Sequence, residues 1–356
     1  MKTIYNFSAG PAMLDPEVMR QIQAELLDYK GTGMSIMEMS HRSVLYEAVV
    51  NDAKANLKHL MQIPDNYEIL FLQGGASLQF SMISMNLMHT HHAAAYLNSG
   101  VWSQKAIDEA KRHGDVIVVG DNAEVEYKRL PECDVLPLKI DYAYYVSNNT
   151  IYGTQFKQLP MEHPVLIADM SSDILSKPID VSKYGLIFAG AQKNLGIAGV
   201  TIVIIRNDLI RSDLNLDTML QYATHQKANS LYNTPASFSL YVLKKVTDWL
   251  LELGLDVITQ RNEHKADLLY SAIDQSVLFS NDIKREDRSL MNVVFTTNDS
   301  ELDEAFISFA KKYDCVNIKG YRTLGGMRAS LYNAMPVEGV QNLIEAMHAF
   351  EAEMNP

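Results

Sequence analysis

Short uninterrupted apolar runs alternate with longer stretches of helical spacing over the first two hundred or so residues of this 356-residue chain. Runs of four to six mostly apolar residues, bounded by glycine or polar positions, occur at 69–72, 93–98, 116–119, 142–147, 165–168, 186–189 and 201–205. Such runs suit strands buried on both faces of a sheet. Between them the period changes: Val44, Leu45, Ala48, Val49, Ala53, Leu57 and Leu60 recur at helical spacing over 43–61. Pro16 opens an earlier helix predicted to reach about residue 29, with Gly31 and Gly33 beyond it. This alternation predicts an α/β fold with a mostly parallel, seven-stranded sheet covered by helices. Ligands of such a sheet gather beyond the carboxyl ends of its strands, where Asn148, Thr150, Asp169 and Lys193 all fall.

Past residue 235 the pattern changes. A helix over 235–253 is ended by Gly254, and a second runs to about 273. Strands are then predicted in NVVFTT, VNIKGY and MRASLY, with helices at 301–313 and from 337. That is a compact α+β unit. The expected division is a large domain over 1–255 and a smaller one over 256–356. The first ~15 residues form an arm expected to pack on the small domain.

Composition changes this picture little but excludes several classes. The chain is 47% hydrophobic and 21% charged, ordinary for a globular protein. No apolar run approaches the ~20 residues of a membrane span. The start, MKTIYNFSAGPAML, lacks the apolar core of a signal peptide. Two distant cysteines, Cys133 and Cys315, suggest a reducing compartment without a disulfide framework, so a cytoplasmic location is expected. A net charge of −12 argues against a nucleic-acid surface, and an anionic substrate would need a local basic pocket. His89, His91 and His92 have no Cys or acidic residue at ligand spacing and read as a solvated helix end, so no metal is expected.

The stretch 186–206, LIFAGAQKNLGIAGVTIVIIR, places Lys193 between two strand-like runs, with Gly190, Gly196 and Gly199 permitting tight turns. A lysine there suits an imine with a carbonyl cofactor, or simply caps the loop. Asp169 ends the run VLIAD; if the two strands are neighbours, a carboxylate and an amine face one crevice. Pyridoxal phosphate uses that pair, the amine for covalent attachment and the carboxylate to keep the pyridine nitrogen protonated. The strand–Gly74–Gly75–helix turn suits an anion, or is merely a tight βα connection. Trp102 just past another turn could stack on a ring or lie in the core.

Taken together, SAGPAMLDPEV, SHRS, GGAS, GVWS, AQKNLG, YNTPAS and GGMRASLYNAM resemble the phosphoserine aminotransferase family, from about residue 4 to the C-terminus. The resemblance implies a fold-type I pyridoxal-phosphate enzyme. In that likeness Lys193 carries the cofactor covalently, Asp169 pairs with its ring nitrogen, Trp102 stacks on the ring and Thr150 reaches the phenolic oxygen. The cofactor phosphate sits around Ala76, Ser77 and Gln192, completed by Asn233 and Thr234 of the partner in a two-fold homodimer. Arg328 takes the α-carboxylate, while His41, Arg42 and Arg322, with Ser8 nearby, serve substrate and its distal anion. The implied reaction is ping-pong transamination between O-phospho-L-serine and 2-oxoglutarate in serine biosynthesis, with 4-phosphohydroxy-L-threonine a further family substrate. Ser77 and Tyr321 stand where some members carry Arg and His. Competing readings are an alanine– or serine–glyoxylate aminotransferase, a cysteine desulfurase-like lyase or a non-catalytic binding protein. A nicotinamide dehydrogenase lacks its glycine fingerprint here.

Overall fold

The computed structural model describes residues 3–354; residues 1, 2, 355 and 356, the outer ends of the two expected domains, lie outside it. In chain order the elements begin with β1 (Tyr5–Asn6), α1 (Pro16–Glu25), α2 (Val44–Leu60), β2 (Tyr67–Leu72) and α3 (Gly75–Leu87). There follow β3 (Ala93–Asn98), α4 (Val101–Ala110), β4 (Asp115–Asp121), β5 (Tyr142–Val146) and a small hairpin of β6 (Asn148–Asn149) and β7 (Thr154–Gln155). Next come β8 (Leu166–Asp169), β9 (Leu186–Gly190), β10 (Thr201–Arg206), α5 (Tyr222–Lys227), α6 (Ser237–Leu253) and α7 (Leu255–Gln275). The C-terminal part holds β11 (Asn292–Phe295), α8 (Ser300–Phe309), β12 (Cys315–Val316), β13 (Met327–Ser330) and α9 (Val337–Met354).

The seven-stranded sheet runs β2–β10–β9–β8–β5–β3–β4. Only β10 is antiparallel to its neighbours, so the sheet is mostly parallel, as the apolar runs predict. Its inner strands are buried because both faces are covered, while the edge strand β4, expected to be buried, leaves Ile117 and Val118 exposed. One face packs under α2 and α6, in a cluster holding Val49, Leu57, Ile187, Ile202, Leu243 and Leu250. The other packs under α3 and α4, with Phe80, Ile83, Ile107, Tyr144, Phe188 and Val203. Helix α2 starts where Ser43 accepts a hydrogen bond from the Tyr46 N–H, a side-chain N-cap, and it buries Tyr46, Val49, Val50, Ala53, Leu57 and Leu60. Val49, Ala53, Leu57 and Leu60 of the stripe read from spacing lie on this buried face, whereas Val44 and Leu45 at the helix start are exposed and Tyr46 and Val50 take their place.

For the site, strand order matters most. β5, β8 and β9 lie side by side and parallel, with Val146 opposite Asp169 and Asp169 opposite Phe188. The loops leaving these three strands therefore open at one edge of the sheet.

A third apolar cluster gathers α7, α8, α9, β11 and β13 around Phe279, Phe295, Phe306 and Phe350. The N-terminal arm belongs to it: β1 pairs in parallel with β12, and Phe7 is fully buried there.

Some boundaries differ from the pattern. Helix α1 stops at Glu25 rather than near 29, since Tyr29 turns inward to meet Tyr241 edge-on at 5.7 Å and Lys30 takes a left-handed conformation (φ 53°). VNIKGY is not a continuous strand, because Asn317 is left-handed at φ 61° and its side chain reaches Asn6 at 2.8 Å. Helix α8 ends at Phe309 and tightens into a 3-10 turn over Ala310–Tyr313. Both cysteines carry free thiols. Among the described residues, no helix is long and apolar enough to cross a membrane, and no His, Cys, Asp and Glu group could hold a metal ion.

Candidate active site

At the carboxyl edge of the sheet lies a cavity of about 210 Å³. Its wall is built from Gly75, Ala76 and Ser77 of the first turn of α3, Trp102 of α4, Thr150 beyond β6, Asp169 at the end of β8, and Gln192 and Lys193 between β9 and β10. Lys193, Asp169, Trp102, Thr150, Ala76, Ser77 and Gln192 thus meet in one place, drawn from separate stretches of chain.

The electrostatics are unusual for so small a space. Lys193 is enclosed, and burial pushes its amine down to about 8; Asp169 draws it back up and Arg328 opposes it further. Its Nζ donates to the Thr150 hydroxyl at 2.9 Å. Burial likewise raises the Asp169 carboxyl, against the Ser171 N–H that donates to its Oδ1 at 2.9 Å and against the Lys193 charge. Both members of this buried pair are therefore pushed toward neutrality, the response of charges lacking a further partner. Arg328 lies partly buried on β13; its Nη1 donates to the Thr150 carbonyl at 3.2 Å while its Nε is buried without a partner. Thr150 consequently joins amine and guanidinium, one through its hydroxyl and the other through its carbonyl.

The opposite wall is made for an anion. Gly74 precedes α3 in a left-handed conformation (φ 93°) and supplies no side-chain cap. The first N–H groups of α3 are thus left for a ligand at the positive end of the helix dipole. A Cβ at Gly74 would come within 2.5 Å of the Leu78 side chain, so glycine is needed for space as well as for φ. The indole N–H of Trp102 is also buried without a partner. A phosphate-bearing, flat, carbonyl-containing group with a basic ring nitrogen fits this donor set: anion cradle, aromatic wall, amine and carboxylate.

The remaining expected residues do not line this cavity within one chain. Asn233 is exposed and Thr234 lies beside it, its carbonyl held by the Gln73 amide at 2.8 Å. Arg42 and Arg322 reach the surface, and His41 is half-buried with Nε2 unpartnered. Ser8 sits on the arm, which is pinned to the lysine loop where the Ala12 N–H donates to the Gln192 carbonyl at 2.9 Å. The tertiary structure adds residues that local pattern did not single out. Ser171 holds Asp169 through its N–H and accepts from the Gly190 N–H at 3.1 Å through Oγ. Asn194, beside Lys193, reaches the C-terminal unit. The serines following Asp169 in DMSSD were the only sequence signal for the first.

Comparison with known proteins agrees with this chemistry. The family description "Aminotransferase class-V" matches residues 4–343, and the chain belongs to that family. Its fold and cofactor are those of the fold-type I pyridoxal-phosphate enzymes. Within the class the chain falls among the phosphoserine aminotransferases. It is 52% identical to the Bacillus cereus phosphoserine aminotransferase over 99% of both chains. The solved enzyme from Bacillus circulans subsp. alkalophilus superposes with a TM-score of 0.97 at 46% identity, over 99% of this chain and 100% of that one. The PLP-bound enzyme from Trichomonas vaginalis gives 0.92 at 39% identity, over 97% and 100%.

Proposed function

We propose that the cavity carries out reversible transamination between O-phospho-L-serine and 2-oxoglutarate, yielding 3-phosphohydroxypyruvate and L-glutamate. The observation that carries this reading is the joint at Thr150, where a buried amine with depressed basicity and a guanidinium are tied to one residue. When bound, pyridoxal phosphate supplies an electron sink that acidifies the Cα–H of an attached amino acid.

The chain's own groups do the rest. Lys193 would hold the cofactor covalently, and its Nζ, once free, would serve as the general base that takes the Cα proton of the bound amino acid and gives it back beyond the nitrogen. An amine near 8 has a substantial neutral fraction at physiological pH and is thus competent for this, which an ordinary lysine is not. The Thr150 hydroxyl fixes the direction of Nζ. Asp169 would provide the negative charge for the ring nitrogen, and the N–H groups of Ala76 and Ser77, with Gln192, would hold the phosphate. Trp102 gives the flat wall. Arg328 receives the α-carboxylate through its planar fork.

His41, Arg42 and Arg322 receive the distal anion, either phosphate or γ-carboxylate, with Ser8 at the rim; Asn233 and Thr234 reach the phosphate of the partner's cofactor. A two-fold homodimer follows from that division of labour. Support comes from Met37 and Val44, apolar side chains 55% and 82% exposed that flank His41 and Arg42 in the chain. The separate apolar cluster of the C-terminal unit supports the division near residue 255. Free thiols support a reducing, cytoplasmic setting.

The visible spectrum tests the activity. The purified, cofactor-loaded protein is expected to show an absorption band that bleaches with O-phospho-L-serine and returns with 2-oxoglutarate. Bleaching by alanine or glutamate but not by phosphoserine would overturn the substrate while leaving the transaminase. A second expectation concerns loading. Neutral amine is the attacking form, and Lys193 titrates near 8, so the rate at which the cofactor-free chain captures pyridoxal phosphate should rise roughly tenfold from pH 6 to 7 and level off above pH 8. A rise that continues unbroken to pH 10 would show an ordinary lysine.

A further inference from the structure

The strand that carries Arg328 is tied to the loops of Thr150 and Lys193 by two clusters of buried asparagines. Asn292, fully buried on β11, uses its whole side-chain amide: Oδ1 accepts from Asn148 Nδ2 at 2.8 Å, and Nδ2 donates to Ser330 Oγ at 3.0 Å and to the Tyr332 hydroxyl at 3.2 Å. Asn292 lies opposite Ser330 and Val294 opposite Arg328, so Ser330 and Arg328 stand two residues apart on one face of β13. On the other side Asn148 gives its second amide hydrogen to Ser172 Oγ at 2.8 Å and accepts from Ser289 Oγ. Asn148 is two residues from Thr150, and both line the cavity.

The second cluster starts beside Lys193. Asn194 Oδ1 accepts from the Asn333 N–H at 3.0 Å, and its Nδ2 donates to the Ile174 carbonyl at 3.0 Å. Asn333 in turn donates to the Leu175 carbonyl at 2.9 Å and accepts from Asn262 Nδ2 at 2.9 Å. Ser330, Tyr332 and Asn333 all follow Arg328 within five residues.

We propose that Asn292 is a positioning residue for Arg328, holding its guanidinium at a set distance from the Lys193 amine, with the Asn194–Asn333 pair fixing the same joint from the lysine side. The inference rests on Arg328 receiving the substrate α-carboxylate. Uncharged amides suit this role because they donate and accept at once, and bury no charge that must be neutralised. Buried polar networks of this kind specify one arrangement, because shifting a member leaves desolvated groups unpaired. Arg328 itself makes a single long hydrogen bond, 3.2 Å to the Thr150 carbonyl, so its place is set chiefly by the strand beneath it. A guanidinium shifted from the carboxylate it receives gives up bidentate pairing, a loss of binding felt chiefly in KM. Fixing the strand is therefore a substrate-binding requirement as well as a structural one.

A double-mutant cycle separates the two roles. Asn292→Ala, Arg328→Ala and the double variant are prepared as cofactor-loaded enzymes, with the visible band confirming that Lys193 is occupied. Calorimetry then measures binding of glutarate, which has both carboxylates of glutamate and no amine. Asn292→Ala is expected to weaken glutarate about tenfold when Arg328 is present and less than about twofold when it is introduced on top of Arg328→Ala. In turnover, KM for both amino donors should rise more than kcat falls. Equal weakening in both backgrounds, or none in either, would overturn the proposal. If Arg328→Ala alone binds glutarate as tightly as the parent, the carboxylate role of Arg328 falls and the inference with it, a result distinct from the previous one. Should Asn292→Ala fail to fold, Asn333→Ala breaks the second cluster and enters the same cycle with the same expectations.

Discussion

Lys193→Ala is expected to lower turnover roughly ten-thousand-fold and to abolish covalent retention of the cofactor. Two functions are lost together: the amine that holds the cofactor and the base that moves the Cα proton. No neighbour substitutes for it. Thr150 offers a hydroxyl that accepts from Nζ, and Arg328, the other cation influencing the site, stays protonated at any working pH. Loss of fold does not explain such a result. The folded amine titrates near 8 against 10.5 for a free lysine, so between these values the unfolded chain carries the extra proton and stability from this group rises with pH. Below pH 8 the buried ammonium is a cost, which alanine removes. The cofactor-free variant should therefore unfold at a temperature no lower than the parent at pH 7, measured by circular dichroism. Residual activity within tenfold of the parent would sink the central assignment.

The second large effect is expected at Asp169. Asp169→Asn keeps size and keeps an oxygen to accept from the Ser171 N–H, now 2.9 Å from Oδ1, so the backbone turn after β8 should survive. What it removes is a formal negative charge enclosed at the sheet edge. A cation facing that carboxylate is stabilised by pair electrostatics strengthened in a dry site, and removal of such a preorganised charge costs roughly 100- to 1,000-fold. A fall in kcat of about 1,000-fold is expected, with Lys193 still reacting with added pyridoxal phosphate because the amine is intact. Losing its anionic neighbour also lowers the Lys193 amine further, as Asp169 is the foremost group drawing it upward. The pH at which cofactor capture levels off should accordingly move below that of the parent. A variant with near-parental kcat would show that the ring nitrogen needs no charged partner here.

Much of this site is legible along the chain because its parts are local. A lysine between two apolar runs, a carboxylate ending another, a Gly–Gly turn before a helix and a tryptophan past a strand each sit where a strand meets its loop. The period of the apolar residues marks which strands are buried, and parallel strands present their loop chemistry at one edge. The family motifs add Arg328, His41 and Arg42, none of which spacing alone selects.

Other features depend on who meets whom. That β8 and β9 are neighbours, placing Asp169 beside the lysine loop, is a matter of strand order. The reversed direction of β10 leaves no trace in its apolar run, since a strand buried on both faces reads alike either way. Thr150 and Arg328 are 178 residues apart, and Asn148 and Asn292 are 144 apart. Asparagines of this kind look in sequence like any turn residue. The sequence by itself determined the inner strands and most of the helix faces, because period is a property of neighbouring residues, and it offered Lys193 as either an imine-forming amine or a loop cap. Only the tertiary structure decided the depressed basicity of that lysine and the seat of Arg328, because desolvation and long-range hydrogen bonding exist once distant segments have packed together.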